Sequence, residues 1–268
     1  MPNQDDTVAA PGRDPRPSAA DHQLAAAAAT EAGELLVRLR AQLVADGADS
    51  STLKDEGDRR AHVMIMARLA DRLAAGDAVL SEEGRDDPVR LGADRVWIVD
   101  PLDGTREFGE PPRTDWAVHV ALVIGGAPVA GAVALPALGL TLGTDHPPRL
   151  PAALGGPPRV IVSRSRPPAA ATWLAEQLDG ELVEMGSAGA KAMAVVRGEA
   201  DVYAHSGGQY EWDSCAPAAV ALAAGLHVSR LDGAPLVYNN ADPYLPDLLI
   251  CRAELAAPAL EALAGFGA

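Results

Sequence analysis

Val96-Trp97-Ile98-Val99-Asp100-Pro101-Leu102-Asp103-Gly104-Thr105 is the stretch on which the reading of this chain turns. Val96 to Val99 is a short apolar run bounded by turn residues, the pattern of a buried strand. Asp100 and Asp103 stand three residues apart on a Pro-containing turn at the strand's end, so their carboxylates can aim at one spot. Such a hard-oxygen site suits Mg²⁺ once further carboxylates join it. Gly104 and Thr105 then offer backbone N–H groups and a hydroxyl at the start of a short helix, a natural place for a phosphate. A plain turn uses the same residue types. The rest of the chain has to decide between the two.

Working outward, other acids sit at the edges of expected elements. Glu82 ends a short strand at 78–80, Asp58 opens a helix near 58–75, and Asp213, after Trp212, opens a helix near 213–224. Each is also an ordinary cap or solvated acid when taken alone. Together they are more specific, because strand ends of α/β sheets are where sites form. Spacing leaves the metal reading and the bland one both standing, and it names no substrate.

The bulk properties narrow the classes. The chain has 268 residues, 48% hydrophobic and 22% charged, which fits an ordinary globular protein. A net charge of −15 argues against a sequence-independent nucleic-acid binder and against an anionic membrane surface as partner. An anionic substrate would therefore need metals or a few placed cations. Cys215 and Cys251 have no C-x-x-C arrangement and read as structural thiols of a cytoplasmic protein, and the N-terminus has no secretory pattern. The apolar region Trp116–Leu142 is broken by Gly and Pro and reads as consecutive strands rather than a membrane span. No phosphate-binding loop, dinucleotide fingerprint, nucleophile elbow or zinc-protease motif occurs. His119, inside an apolar strand, reads as a satisfied core residue, and Ser187 as the cap of a helix at 188–197, suited to anion or hydroxyl recognition.

Residues 1–18 have the composition of a disordered tail. A long helix is expected near 20–46, and strands follow across 116–144. The Pro/Gly-rich segment 145–158 divides an N-terminal α+β unit, 19–150, from a C-terminal α/β unit, 151–268. In the second unit strands at 159–163, 181–185 and 201–204 alternate with helices near 168–178, 188–197 and 213–224, and a final helix runs near 254–265. The expected class is α/β (α+β), with two mixed sheets and flanking helices.

With these residues in place the chain resembles the inositol monophosphatase-like superfamily, in its bisphosphate nucleotidase branch. The signature Asp-Pro-Leu-Asp-Gly-Thr stands complete at 100–105 and continues with Arg106-Glu107-Phe108. Ser81-Glu82-Glu83, Trp212-Asp213 and Gly186-Ser187-Ala188-Gly189-Ala190-Lys191 match the family's other motifs in order and spacing, over roughly residues 20–265. Two departures occur: Asp55 stands where the family has Thr before Asp58, and Ser214-Cys215-Ala216-Pro217 replaces the usual x-Ala-Ala-Gly.

The resemblance implies a layered α-β-α-β-α sandwich whose N-terminal unit binds metal and whose C-terminal unit completes the active site. It implies a lithium-sensitive, Mg²⁺-dependent phosphatase using two or three ions. Glu82, Asp100, the Leu102 carbonyl, Asp103 and Asp213 would be the ligands. Asp58 and Thr105, with Glu82, would activate water. Asp103, Gly104, Thr105, Arg106, Ser187, Lys191 and Asp213 would contact a small-molecule phosphate ester. Arg164 and Arg166 are further candidate cations, and Tyr210 is the candidate adenine contact. The implied reaction is removal of the 3′-phosphate of adenosine 3′,5′-bisphosphate, and of its sulfated form, in sulfate assimilation. An inositol 1-phosphate or fructose 1,6-bisphosphate phosphatase, and a non-catalytic nucleotide- or metal-binding regulator, are the alternatives. A homodimer is left open.

Overall fold

The structure, a computed structural model, describes residues 16–153 and 155–266. Most of the expected 1–18 tail lies outside the described residues. Among the described residues, two five-stranded sheets and seven α-helices form the fold. The first sheet runs in the order β1 (Ala78–Ser81), β2 (Arg95–Asp103), β3 (Ala117–Ile124), β4 (Ala127–Leu135), β5 (Leu140–Gly143). Only β1 and β2 are parallel in it. The second sheet runs β7 (Glu181–Met185), β6 (Arg159–Ser163), β8 (Val202–Tyr210), β10 (Tyr244–Cys251), β9 (His227–Ser229), with β6 parallel to both neighbours.

Helices separate and cover the sheets. Helix α1 (Ala19–Ala45) and α2 (Ser50–Ala74) bury Leu36, Leu53, Ile65 and Leu69 against one face of the first sheet. On the other face lie α5 (Ala188–Val196) and α6 (Glu211–Ala223), which also pack on the second sheet. Helix α4 (Ala169–Gln177) and α7 (Ala256–Ala264) close the far side. The order of layers is α-β-α-β-α, as expected. Strand β2 shows why it is central. Val96 and Ile98 point into the middle core, while Trp97 and Val99 point to α1 and α2, so alternate residues are buried on both faces.

The strand β2 is longer than the apolar run that announces it. It continues to Asp103 through a pairing irregularity against β3 between Asp100 and Asp103. Pro101 falls in that irregularity, where a missing N–H costs no ladder hydrogen bond. The helix α2 begins at Ser50, capped by Asp49, whose carboxylate accepts from Thr52 N–H at 2.8 Å. This corrects the expectation that Asp58 opens the helix; Asp58 lies in its third turn. The polar stretch before Gly57 hides the helix in the sequence. Gly57 is there for close approach, since a Cβ would come within 2.8 Å of both Leu102 Cδ2 and Phe108 Cε1.

Gly57→Ala is therefore expected to wedge α2 away from β2, costing about 1–3 kcal/mol of stability as an overpacked core does. A urea midpoint equal to that of the wild type would show that the close approach is not needed.

Candidate active site

The chain's acids converge where β1 and β2 end. Ser81 pairs with Val99, and Glu82 N–H donates to the Val99 carbonyl at 3.2 Å, which sets Glu82 beside Asp100. Leu102 N–H donates to Asp100 Oδ1 at 3.0 Å, holding that carboxylate under the turn. One carboxylate oxygen each from Asp100, Asp103 and Asp213 lies within 4.8 Å of the others. Asp213 arrives from the first turn of α6, its Oδ2 accepting from Tyr210 N–H at 2.6 Å. Beneath it, the fully buried Glu211 accepts from Asn239 N–H at 2.6 Å and Asn240 N–H at 2.8 Å, which anchors that turn.

Asp103 is held more tightly than its neighbours. Ala188 N–H and Gly189 N–H donate to it at 3.0 and 2.6 Å, and the Ser187 hydroxyl donates to it as well. These donors form the N-terminus of α5, so Asp103 caps a helix that belongs to the other half of the chain. Ser187 Oγ also accepts from Ala190 N–H at 3.0 Å, as the sequence anticipates for a cap. His119 Nε2 lies 3.2 Å from Asp103 Oδ2 as an ion pair, off the in-line direction of a hydrogen bond. Its Nδ1 lies 3.0 Å from the Trp212 carbonyl.

Electrostatics follow from this packing. Burial, opposed and outweighed by His119, Lys191 and the Ser187 hydrogen bond, leaves Asp103 at about 2. The other acids move the opposite way. Burial first, then neighbouring acids, pushes Asp58 and Asp213 up to about 7. Asp100 rises well above the usual range through burial, Glu82 and Asp103. Glu82, although exposed as a residue, is also raised, by desolvation first and then by the charges of Asp103 and Glu83. Like charges crowded in a low-dielectric setting hold protons unless a cation replaces them. All these donors are oxygens, so the set fits a hard divalent ion such as Mg²⁺.

Around the acids, Thr105 opens the short helix α3 (Thr105–Phe108). Its Oγ1 lies 3.0 Å from the Leu102 carbonyl oxygen and 3.5 Å from Asp58 Oδ1. Gly104 has φ +84°, and a Cβ on it would come within 3.0 Å of Ser187 Cβ and 3.2 Å of the Asp115 carbonyl oxygen. Only glycine meets both demands.

The candidate cations fall into two groups. Arg106 and Arg166 are exposed. Arg164 is engaged by Glu107 and Glu110, both at 2.7 Å. Lys191 is buried, its Nζ donating to the carbonyls of Gly186 (3.2 Å) and Ser187, so it braces the turn before α5.

Beside Asp213, the Tyr210 and Trp212 rings stack at 4.9 Å and 9°, and Tyr244 meets Tyr210 edge-on at 6.0 Å. Two contributors carry no site role in the sequence reading. Arg40 of α1 donates to the carbonyls of Phe108 (2.8 Å), Arg113 (2.7 Å) and Glu107 (3.0 Å), steadying α3. His119 is core by burial, as read, but its ring faces polar groups. No local pattern marks either one, since their partners are far away in the chain.

A family model, the inositol monophosphatase family, matches residues 18–145 and 161–262. The chain is 52% identical over 257 residues to a 3′-phosphoadenosine 5′-phosphate phosphatase of Mycobacterium leprae, covering 91% of this chain and 93% of that protein. It is 34% identical over 216 residues to the 3′(2′),5′-bisphosphate nucleotidase CysQ of Escherichia coli K12, covering 75% of this chain and 85% of that one. The crystal structure of CysQ from Bacteroides thetaiotaomicron superposes with a TM-score of 0.75 at 29% identity, over 87% of this chain and 97% of that chain. The chain belongs to the inositol monophosphatase family. Among the described residues no helix is long and apolar enough to cross a membrane.

The raised acids give a pH dependence with a definite sign. A carboxyl whose folded pKa lies near 7, against an ordinary 3.8, favours the fold fully below 3.8 and loses that contribution as pH rises through 7. Metal uptake displaces those protons, so it competes with them at low pH. Mg²⁺ is expected to raise Tm more at pH 8 than at pH 5.5 in scanning calorimetry. An equal gain at both, or a larger one at pH 5.5, would contradict the assignment.

Proposed function

We propose that the protein is a Mg²⁺-dependent phosphatase that removes the 3′-phosphate of adenosine 3′,5′-bisphosphate, giving AMP and inorganic phosphate. The observation that carries this reading is the joining of the acid cluster to an aromatic platform. Tyr210, whose ring stacks on Trp212, donates its N–H to Asp213. A nucleobase on that platform would set its ribose phosphate near Asp100, Asp103 and Asp213. The similarity to a named 3′-phosphoadenosine 5′-phosphate phosphatase over nearly the whole chain supports the same substrate.

Glu82, Asp100, the Leu102 carbonyl, Asp103 and Asp213 would hold the metal. Mg²⁺ bound there supplies positive charge against the phosphate oxygens and makes water more acidic. The chain's own part is positioning and proton transfer. Gly104 and Thr105 present backbone N–H groups at the start of α3 to the phosphate. Asp58, held up to about 7 by burial and by Glu83 and Glu82, takes a proton from water at neutral pH far more readily than an ordinary carboxylate. The Thr105 hydroxyl beside it orients that water. Water adds its oxygen to phosphorus as the P–O bond to the ribose 3′-oxygen breaks; Asp58 takes one water proton and releases it to solvent, and the departing oxygen takes a proton from solvent to become the 3′-hydroxyl. Arg106 and Arg166, both exposed, would be the candidate cations for the second phosphate. The same chemistry would act on the sulfated nucleotide and would place the enzyme in sulfate assimilation.

Phosphate release with Mg²⁺ is expected to be fastest from adenosine 3′,5′-bisphosphate, slower from inositol 1-phosphate and fructose 1,6-bisphosphate, and inhibited by Li⁺. A reversed order would favour the sugar or inositol reading. Binding of the nucleotide without turnover would favour a regulator. Asp58→Asn is expected to lower kcat by about 10²–10⁴-fold with Tm retained, the usual worth of a general base. Near-normal kcat would remove Asp58 from that role. Tyr210→Ala is expected to raise KM for the nucleotide about 10-fold, within the usual ~1–3 kcal/mol per stacked base. KM for inositol 1-phosphate should stay unchanged, and an equal rise for both substrates would discard the platform.

A further inference from the structure

We propose that His119 is a positioning residue that ties two halves of the acid cluster together and sets their spacing. It rests on the metal reading above. Asp103 comes from the end of β2 and Asp213 from the first turn of α6, and no covalent path shorter than 110 residues connects them. His119, in the middle of β3, is completely buried between them. Its Nε2 faces Asp103 Oδ2 at 3.2 Å, and its Nδ1 lies 3.0 Å from the carbonyl of Trp212, the residue next to Asp213. One ring thus touches the acid that ends β2 and the backbone of the turn that carries Asp213.

The surroundings are shaped around this ring. Gly189, at the start of α5, packs so closely that a Cβ there would collide with the imidazole Nε2, and its N–H donates to the same Asp103 oxygen at 2.6 Å. An imidazole is rigid, with its two nitrogens on opposite edges. It therefore acts as a strut whose length cannot adjust, unlike a lysine or glutamine. Register opposite β2 places His119 against Asp100, yet the pairing irregularity at Pro101 brings Asp103 to the ring instead. The bulge and the strut together aim Asp103. Partners in this position commonly tune metal affinity by 10–100-fold, as a rough guide.

The test is isothermal titration of Mn²⁺, with thermal melts to establish folding, for the wild type and for His119→Leu, His119→Gln and His119→Asn. Gln keeps an amide near the Nε2 position and Asn one near Nδ1. His119→Leu is expected to weaken Mn²⁺ binding about 10- to 100-fold, and the two amide variants should fall between it and the wild type. A folded His119→Leu protein with wild-type affinity would overturn the inference, as would amide variants no better than Leu. Should every variant fail to fold, a long-range ¹H–¹⁵N spectrum of the wild type decides. A proton on Nδ1 is expected, and a bare Nδ1 beside the Trp212 carbonyl would overturn the strut. A wild type that takes up no Mn²⁺ would instead overturn the metal reading, which distinguishes the two failures.

Discussion

The capping of α5 by Asp103 is the interaction on which the site depends. A single carboxylate at the end of β2 receives two backbone N–H groups and a hydroxyl from residues 187–189 and faces His119 from β3. That joins the first sheet to a helix that also packs on the second. It explains the glycines as well. Gly104 lets the chain turn at positive φ against Ser187, and Gly189 leaves room for the imidazole. Charge-assisted donors of this kind are stronger than neutral ones and are geometrically exacting. Moving any of them would move the acid.

A second constraint runs against the first. Asp103 is the acid the protein itself neutralises with donors. Asp100, Asp213, Asp58 and Glu82 are left to repel one another in a poorly solvated corner. Such a set is costly to the fold, and functional sites are where such costs are found. The reward is a ready charge for a divalent cation and, at Asp58, a carboxylate whose proton affinity suits neutral water.

Much of this was legible in the sequence because the decisive elements are apolar runs bounded by Gly or Pro. Strands 159–163 and 181–185 have the expected limits, and the five-layer order follows from the resemblance carried by residues 100–105. Where the reading fell short, a distant partner decided. Strand β8 continues through His205-Ser206-Gly207-Gly208-Gln209, which look like a loop, because β10 pairs with them as far as Tyr244 opposite Tyr210. Helix α2 starts eight residues before Asp58, capped by Asp49, and Gly57 within it serves the close approach to Leu102 and Phe108. The apolar setting of His119 marks it as buried, but only the fold shows which groups its nitrogens meet.

The central claim is that acids from the ends of β1 and β2 and from α6 form one divalent-cation site. Crystals soaked in Mn²⁺ and measured at an energy where manganese scatters anomalously test it most directly. The account predicts anomalous peaks bounded by Glu82, Asp100, Asp103 and Asp213. Peaks confined to other surfaces, or an acid cluster without any, would contradict it.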